Sequence, residues 1–328
     1  MAWYIHSCAS EKVLALTAPI FPVRPTSSEA LFGSAARGDA DALSDRDVLI
    51  VDDDVKRLAA RTAELQANGV SVASYTFAKL AALAKMGALF VQHLKLEALV
   101  TRDDGARLSR LLKDFEPRTD YSFEIAENAK LSALAGAVPT GGRGLLLAAD
   151  ILYVSVRNHG VLSLAERGVH VYAFDAVAAG LEVTGLIAPG GARALGALRF
   201  LKCLYRNGEA GGGEAVRSVI ESALGVLPSE YFPRQIRGLS PHELSVIKIP
   251  ADASAYVVLR DLERRLIALE TLGHDIGCDE KLARLQRWIV NPRAYAAMSY
   301  RLAPRMRALM SRMAEHHASP HRAAIGRK

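Results

Sequence analysis

Residues 31–51 set short apolar runs against polar punctuation. Leu31-Phe32 closes an apolar stretch at Gly33-Ser34, a polar connection follows, and Asp45-Arg46-Asp47 leads into Val48-Leu49-Ile50-Val51. Side chains alternate along a strand, so this spacing predicts two strands, the second beginning at Asp45 with Asp45 and Asp47 on one face. Asp54–Asn68 carries Val55, Leu58, Ala59 and Leu65 at helical intervals and stops at Asn68-Gly69. Val70–Tyr75 alternates and is rich in β-formers, which predicts a third strand. Phe77–Met86 and Ala88–Glu97 return to helical spacing, and Ala98–Thr101 runs on to the turn Asp103-Asp104-Gly105. Together these predict a small mixed β-sheet with helices on one side over residues 1–117.

The pattern changes after Pro117. Helical periodicity predicts helices at about 120–137, 144–167, 170–184, 191–206, 213–225, 252–272 and 279–315, the last interrupted at Pro292 and Pro304. A short strand is expected at Ser245–Ile249. The chain therefore reads as α/β followed by all-α: a mixed-sheet core, an α-helical bundle domain over 118–317, and a short basic tail at 318–328.

Composition narrows the classes. With 328 residues, 50% apolar and 23% charged, the chain is long enough for two domains with cores and is not of disordered type. No uninterrupted apolar run reaches the roughly eighteen residues that span a bilayer, so no membrane partner is expected. Met1–Pro25 is broken by Pro19, Pro22 and Pro25 and reads as the entry into the first domain, not a signal peptide. Cys8, Cys203 and Cys278 are odd in number and far apart, which suggests neither a disulfide framework nor a zinc site and points to a reducing cytoplasm. Charge is uneven: residues 1–117 hold 14 basic and 15 acidic side chains, residues 118–328 hold 27 and 20. The basic half is where an anionic partner is expected.

The chemistry-bearing residues sit in the first part. Gly33 has no Cβ, so backbone N–H groups there can approach a phosphate closely, and Ser34 adds a hydroxyl donor. Asp45 and Asp47 on one face are suited to a divalent cation. Gly33-Ser34, followed after about ten residues by Ser44-Asp45-x-Asp47 and an apolar strand, resembles the signature of the polymerase-β-like nucleotidyltransferases. Arg37-Gly38 continue a family-like Gly-Ser-x-x-Arg-Gly pattern. The resemblance is carried by residues 31–54 and, more loosely, by the chain to about 105. It implies transfer of a nucleoside monophosphate from an NTP bound with Mg²⁺ (or Mn²⁺) to an acceptor, with pyrophosphate leaving. Gly33 and Ser34 would hold the triphosphate, Arg37 would reach it or stabilise the turn, and Asp45 and Asp47 would hold the metal. The acceptor would be RNA, a hydroxyl of a partner protein, a second nucleotide or a small molecule. Toxin-antitoxin and phage-defence settings occur in the family.

One departure stands out. The family supplies a third carboxylate from the next core strand, where this chain has Ser71 and, on the same face, Ala73. Three readings remain open. An acid from elsewhere (Asp39, Asp53 or Asp103) enters the site; or one metal serves, with a base from the substrate or second domain; or the protein is a nucleotide- or RNA-binding regulatory module without turnover.

In the helical half, Arg199, Lys202 and Arg206 lie at i, i+3, i+7, a basic stripe that would contact phosphate or acceptor. Lys281–Ala314 has no acidic residue and interleaves Trp288, Tyr295 and Tyr300 with arginines, which suits RNA, the wall of an NTP pocket, or a solvated face over packed aromatics. Arg237…His242 and Arg312…His317 have the Arg-to-His spacing of the helical HEPN ribonucleases that often accompany minimal nucleotidyltransferases, a spacing that chance also produces among this many arginines.

Overall fold

The computed structural model describes residues 27–41, 44–209, 211, 213–271, 280, 283, 308 and 310–312. They form two compact units. The first takes in the described chain up to Tyr121 together with Val161–Ala173; the second takes in Ser122–Gly160 and the described chain from Phe174 onward.

The first unit is built on four strands: β1 (Ser27–Phe32), β2 (Asp47–Asp52), β3 (Ser71–Tyr75) and β4 (Leu99–Asp103), in the order β3-β2-β1-β4. β1 runs antiparallel to β2 and β4, while β2 and β3 are parallel, so the sheet is mixed as expected. Its helices are α1 (Ser34–Arg37), α2 (Val55–Ala67), α3 (Phe77–Lys85), α4 (Leu89–Glu97) and α5 (Arg107–Lys113).

The helices do not all lie on one side. Leu49 and Val51 of β2 join Ala30 and Phe32 of β1 in a core with Leu80, Leu83, Val91, Leu94, Leu108 and Leu112 from α3, α4 and α5. Val48 and Ile50 face the other way and pack with Leu58 and Leu65 of α2. A strand buried on both faces needs a continuous apolar run, which is what Val48–Val51 is.

The second unit contains α6 (Ser122–Ala133), α7 (Gly142–Ala165, whose last residues from Val161 group with the first unit), α8 (Phe174–Val183), α9 (Gly191–Arg206), α10 (Gly213–Val226), α11 (Pro241–Val246) and α12 (Ala255–Glu270). A two-stranded parallel ladder joins β5 (Ala137–Pro139) to β6 (Arg237–Leu239). α7 is long and apolar enough to cross a membrane by composition, but 89% of its most apolar window is buried inside the protein, the property of a core helix.

The strand expected at Ser245–Ile249 does not form. Ser240 and Glu243 make a reciprocal capping box with Pro241 at the first helical position, so the chain enters α11 there instead. The helix expected over 279–315, with its basic and aromatic residues, falls almost wholly outside the described residues, as does the tail at 318–328.

α12 is buried nearly all round, yet it carries Arg260, Asp261, Glu263, Arg264 and Arg265 inside. Each of these charges is met. Asp261 accepts from Arg264 at 2.6 Å and from Arg265 at 2.9 Å, while Arg264 donates to Ala137 O and Arg265 to Ile247 O, both at 2.7 Å. One turn earlier, Arg260 donates to Asp150 of α7 at 2.7 Å, and Arg206 of α9 donates to the other oxygen of Asp150 at 3.1 Å. Asp150 is 1% exposed and links three helices.

Removing one member of a buried ion pair leaves the other uncompensated, at about 3–5 kcal/mol. Arg206 is 37% exposed at its side chain and recovers solvation, so Asp150→Ala is expected at the lower end, about 3 kcal/mol. A correspondingly lower urea midpoint by far-UV circular dichroism checks this, and an unchanged midpoint contradicts it.

Candidate functional site

β1 delivers the candidate turn. Phe32, its last residue, lies opposite Asp47, the first residue of β2, and the next residue is Gly33. Gly33 has φ 71° and ψ −152°, a backbone region open essentially to glycine alone. A Cβ at Gly33 would lie 3.0 Å from Oδ2 of Asp47. Glycine is therefore required twice over: for the bend, and for the room that the Asp47 carboxylate occupies. After Gly33 the chain makes α1, a single turn in which Ala36 N and Arg37 N donate to Gly33 O and Gly38 N and Asp39 N donate to Ser34 O. Gly38 ends it in the left-handed conformation. Four residues give little of the aligned dipole expected at Ser34, so anion binding here depends on N–H groups and side chains.

Asp45 precedes β2 and does not lie on it. The strand starts at Asp47 because β1, its partner, ends at Phe32. Asp45 is therefore on the exposed approach to the strand, two residues before its first paired position. Among the described residues, no hydrogen bond or ion pair engages the carboxylate of Asp45 or Asp47.

Arg37, expected at the triphosphate or in support of the turn, is held by acids. Its Nε donates to Asp39 at 3.0 Å and its Nη1 to Glu97 at the end of α4. Glu97 also meets His93 Nε2 at 2.8 Å. Burial opposes the charged form of Glu97, but contacts with His93 and Arg37 outweigh it and hold the carboxyl below the usual range. The sequence reading missed this network, although His93 and Glu97 at i, i+4 on an apolar helix were a signal for it.

β2 and β3 pair in parallel with Asp47 directly opposite Ser71, the position from which the resemblance expects a third acid. The other acids considered are engaged elsewhere. Asp53 accepts from Arg107 at 2.8 Å and from Phe77 N. Asp103 accepts from Ser28, Leu108 N and Ser109, closing β4 onto α5. Asp39 is paired with Arg37. No group of three or more His, Cys, Asp or Glu arranged to hold a metal occurs among the described residues.

The stripe on α9 lies within the second unit and is not a uniformly open face. Lys202 is 7% exposed, with its ammonium 4.8 Å from the Tyr153 ring centroid, and Arg206 is bound to Asp150. Arg199 is half-buried. Arg237 and His242 are exposed on two different elements, β6 and α11. Arg312 is exposed, and His317 lies outside the described residues.

No known protein family, characterised protein or solved structure matches the chain. What the site can do therefore follows from its own chemistry.

Gly33→Ala forces a Cβ against Asp47 and an L-residue into a glycine backbone. The expected cost is about 1–3 kcal/mol in the first unit, with the Asp47 carboxylate displaced. A Gly33→Ala protein that unfolds in urea as the wild type does would contradict this.

Proposed function

We propose that the Gly33–Ser34 turn and the Asp45 and Asp47 carboxylates form a nucleotide site that transfers a nucleoside monophosphate from an NTP to an acceptor hydroxyl, on RNA or on a partner protein. The observation that carries this reading is that Oδ2 of Asp47 lies 3.0 Å from where a Cβ of Gly33 would stand, which brings the glycine turn and the acidic strand start together. Two carboxylates that no hydrogen bond or ion pair engages among the described residues fit one divalent cation, Mg²⁺ or Mn²⁺. Such an ion, when bound, neutralises charge on the phosphate oxygens.

The chain's own residues have plain tasks. Gly33 leaves room for phosphate and carboxylate together, Ser34 offers a hydroxyl, and Asp45 and Asp47 hold the cation. Arg37 sits one helical turn from Ser34. The acceptor oxygen forms its bond to the α-phosphorus as the bond to the pyrophosphate oxygen breaks, and the acceptor proton needs a base. The excess of basic residues after 117 favours RNA or another polyanion as acceptor.

A second reading is favoured by Ser71. A hydroxyl opposite Asp47 neither accepts a proton as a carboxylate does nor binds a second metal comparably. On that reading the protein binds a nucleotide and regulates without turning it over.

The two readings part in one experiment. The protein is incubated with Mg²⁺ or Mn²⁺, each labelled NTP and total RNA. Label transfer that is lost in both Asp45→Asn and Asp47→Asn supports the enzyme. Absence of transfer, while an NTP still raises the melting temperature, supports the binding module. Neither transfer nor stabilisation sinks both.

A separate expectation concerns Ser71→Asp. A third carboxylate opposite Asp47 should tighten Mn²⁺ binding by roughly tenfold, about 1.4 kcal/mol, in calorimetric titration. Unchanged affinity would mean that position 71 does not face the metal.

A further inference from the structure

We infer that Glu97 and His93 are positioning residues that staple the single-turn helix α1 to α4 through Arg37, and thereby set how firmly the Gly33–Ser34 turn grips a nucleoside triphosphate. The nucleotide part rests on the function proposed above; the staple does not.

α1 cannot hold itself. A lone helical turn is unstable, and none of its four residues is buried, so it has no apolar anchor. Its backbone hydrogen bonds close on Gly33 and Ser34 only. The side-chain tie to a larger element is Arg37 to Glu97. α4, in contrast, is fixed: Leu89 through Leu94 are all buried. The His93 ring is 4% exposed, stacks on Tyr172 at 4.2 Å and 19°, and meets Phe32 edge-on at 5.5 Å and 85°. Phe32 immediately precedes Gly33. The helix thus grips the chain on both sides of the turn, at Phe32 through His93 and at Arg37 through Glu97.

Two effects of Glu97 on an anion oppose each other. Its negative charge repels phosphate, whereas its hold on Arg37 orders the turn. Glu97 is already in contact with Arg37 and His93, which cancels much of its outward field, so positioning is the larger effect. Among the described residues no hydrogen bond engages Nη2 of Arg37, which leaves those donors for phosphate while Nε and Nη1 fix the guanidinium plane.

Hydrogen exchange on the full-length protein tests the staple without nucleotide. The amides of Ala36, Arg37, Gly38 and Asp39 should exchange roughly tenfold faster in Glu97→Gln with the global melting temperature nearly unchanged, and faster also in His93→Gln, whose melting temperature falls as the buried ring is lost. Exchange unchanged in both variants overturns the inference. Titration with Mg²⁺ and each of ATP, GTP, CTP and UTP then tests the link. Glu97→Gln should bind about threefold to tenfold more weakly, with no added loss in Arg37→Ala/Glu97→Gln over Arg37→Ala alone. Faster exchange with unchanged affinity, or additive losses, overturns the link to nucleotide. Faster exchange in the variants, together with a wild type that binds none of the four NTPs, leaves the staple standing and removes the nucleotide reading.

Discussion

The Asp47 carboxylate rests where Gly33 has no side chain, and the first unit's candidate site depends on that contact. The contact follows from register. Because Phe32 lies opposite Asp47, the residue after β1 is carried over the first residue of β2. β2 itself does little to set that register: Val48 and Ile50 are apolar on one face and Leu49 and Val51 on the other, so a one-residue slip would not expose its core face. Its neighbours set it. β1 alternates partly buried and buried positions strictly, with Ser28, Ala30 and Phe32 inward. Ser28 is hydrogen-bonded to Asp103 at 2.8 Å, which ties β1 to β4. A slip of β1 would bury Glu29 and break its paired contacts with Arg61, at 3.0 and 3.1 Å. The polar residues of β1 thus place the glycine that the site requires.

The second unit uses charge differently. Five consecutive or near-consecutive ionic side chains on α12 are enclosed, and they reach β5, the segment after α11, and α7. A buried pair of this kind adds little net stability compared with packed apolar residues. What it adds is selectivity. Arg260 meets Asp150 of α7 and Arg264 meets Ala137 O, so α12 cannot rotate or slide without losing both contacts and stranding the Arg260–Asp150 pair. That constraint also explains the α9 stripe. Lys202 and Arg206, spaced as if for a phosphate surface, are partly spent on Tyr153 and Asp150 inside the unit.

What was legible in the sequence tracks how local the cause was. The helices α2, α3, α9, α10 and α12 announce themselves by apolar spacing and by stops such as Asn68-Gly69, and the apolar run after Asp47 is a buried strand. β5 and β6 were not legible: each is three residues long, and Ala137 pairs with Arg237 across about a hundred residues of chain. Ser245–Ile249 misled because its β-formers outweighed the capping box just before it. Of the candidate site, the residue types at 33, 34, 45 and 47 could be named, and the register places two of them, Gly33 and Asp47, in contact. The expected strand start at Asp45 is two residues early, because the pairing of β2 with β1 begins only where Phe32 lies opposite Asp47. Glu97 was missed because its role depends on β4 lying beside β1, a pairing that nothing in the local pattern dictates.

The charge around the turn limits what can bind there. Asp39, Asp45, Asp47 and Glu97 surround or flank it, against Arg37 and the exposed Arg46. These side chains are mostly acidic, and an isolated phosphate brought to them meets repulsion at the distance over which such charges act, roughly 8 Å at physiological ionic strength. On the reading proposed above, an anion would settle at Gly33 together with a cation that Asp45 and Asp47 share. A glycine turn beside basic side chains would select for phosphate alone. A glycine turn beside carboxylates that no hydrogen bond or ion pair engages among the described residues would instead suit phosphate together with a divalent ion, the form in which nucleoside triphosphates present themselves. The acids that oppose bare phosphate are thus the feature on which the proposed ligand class rests, and on that reading Ser71 would limit how many such ions the turn could hold.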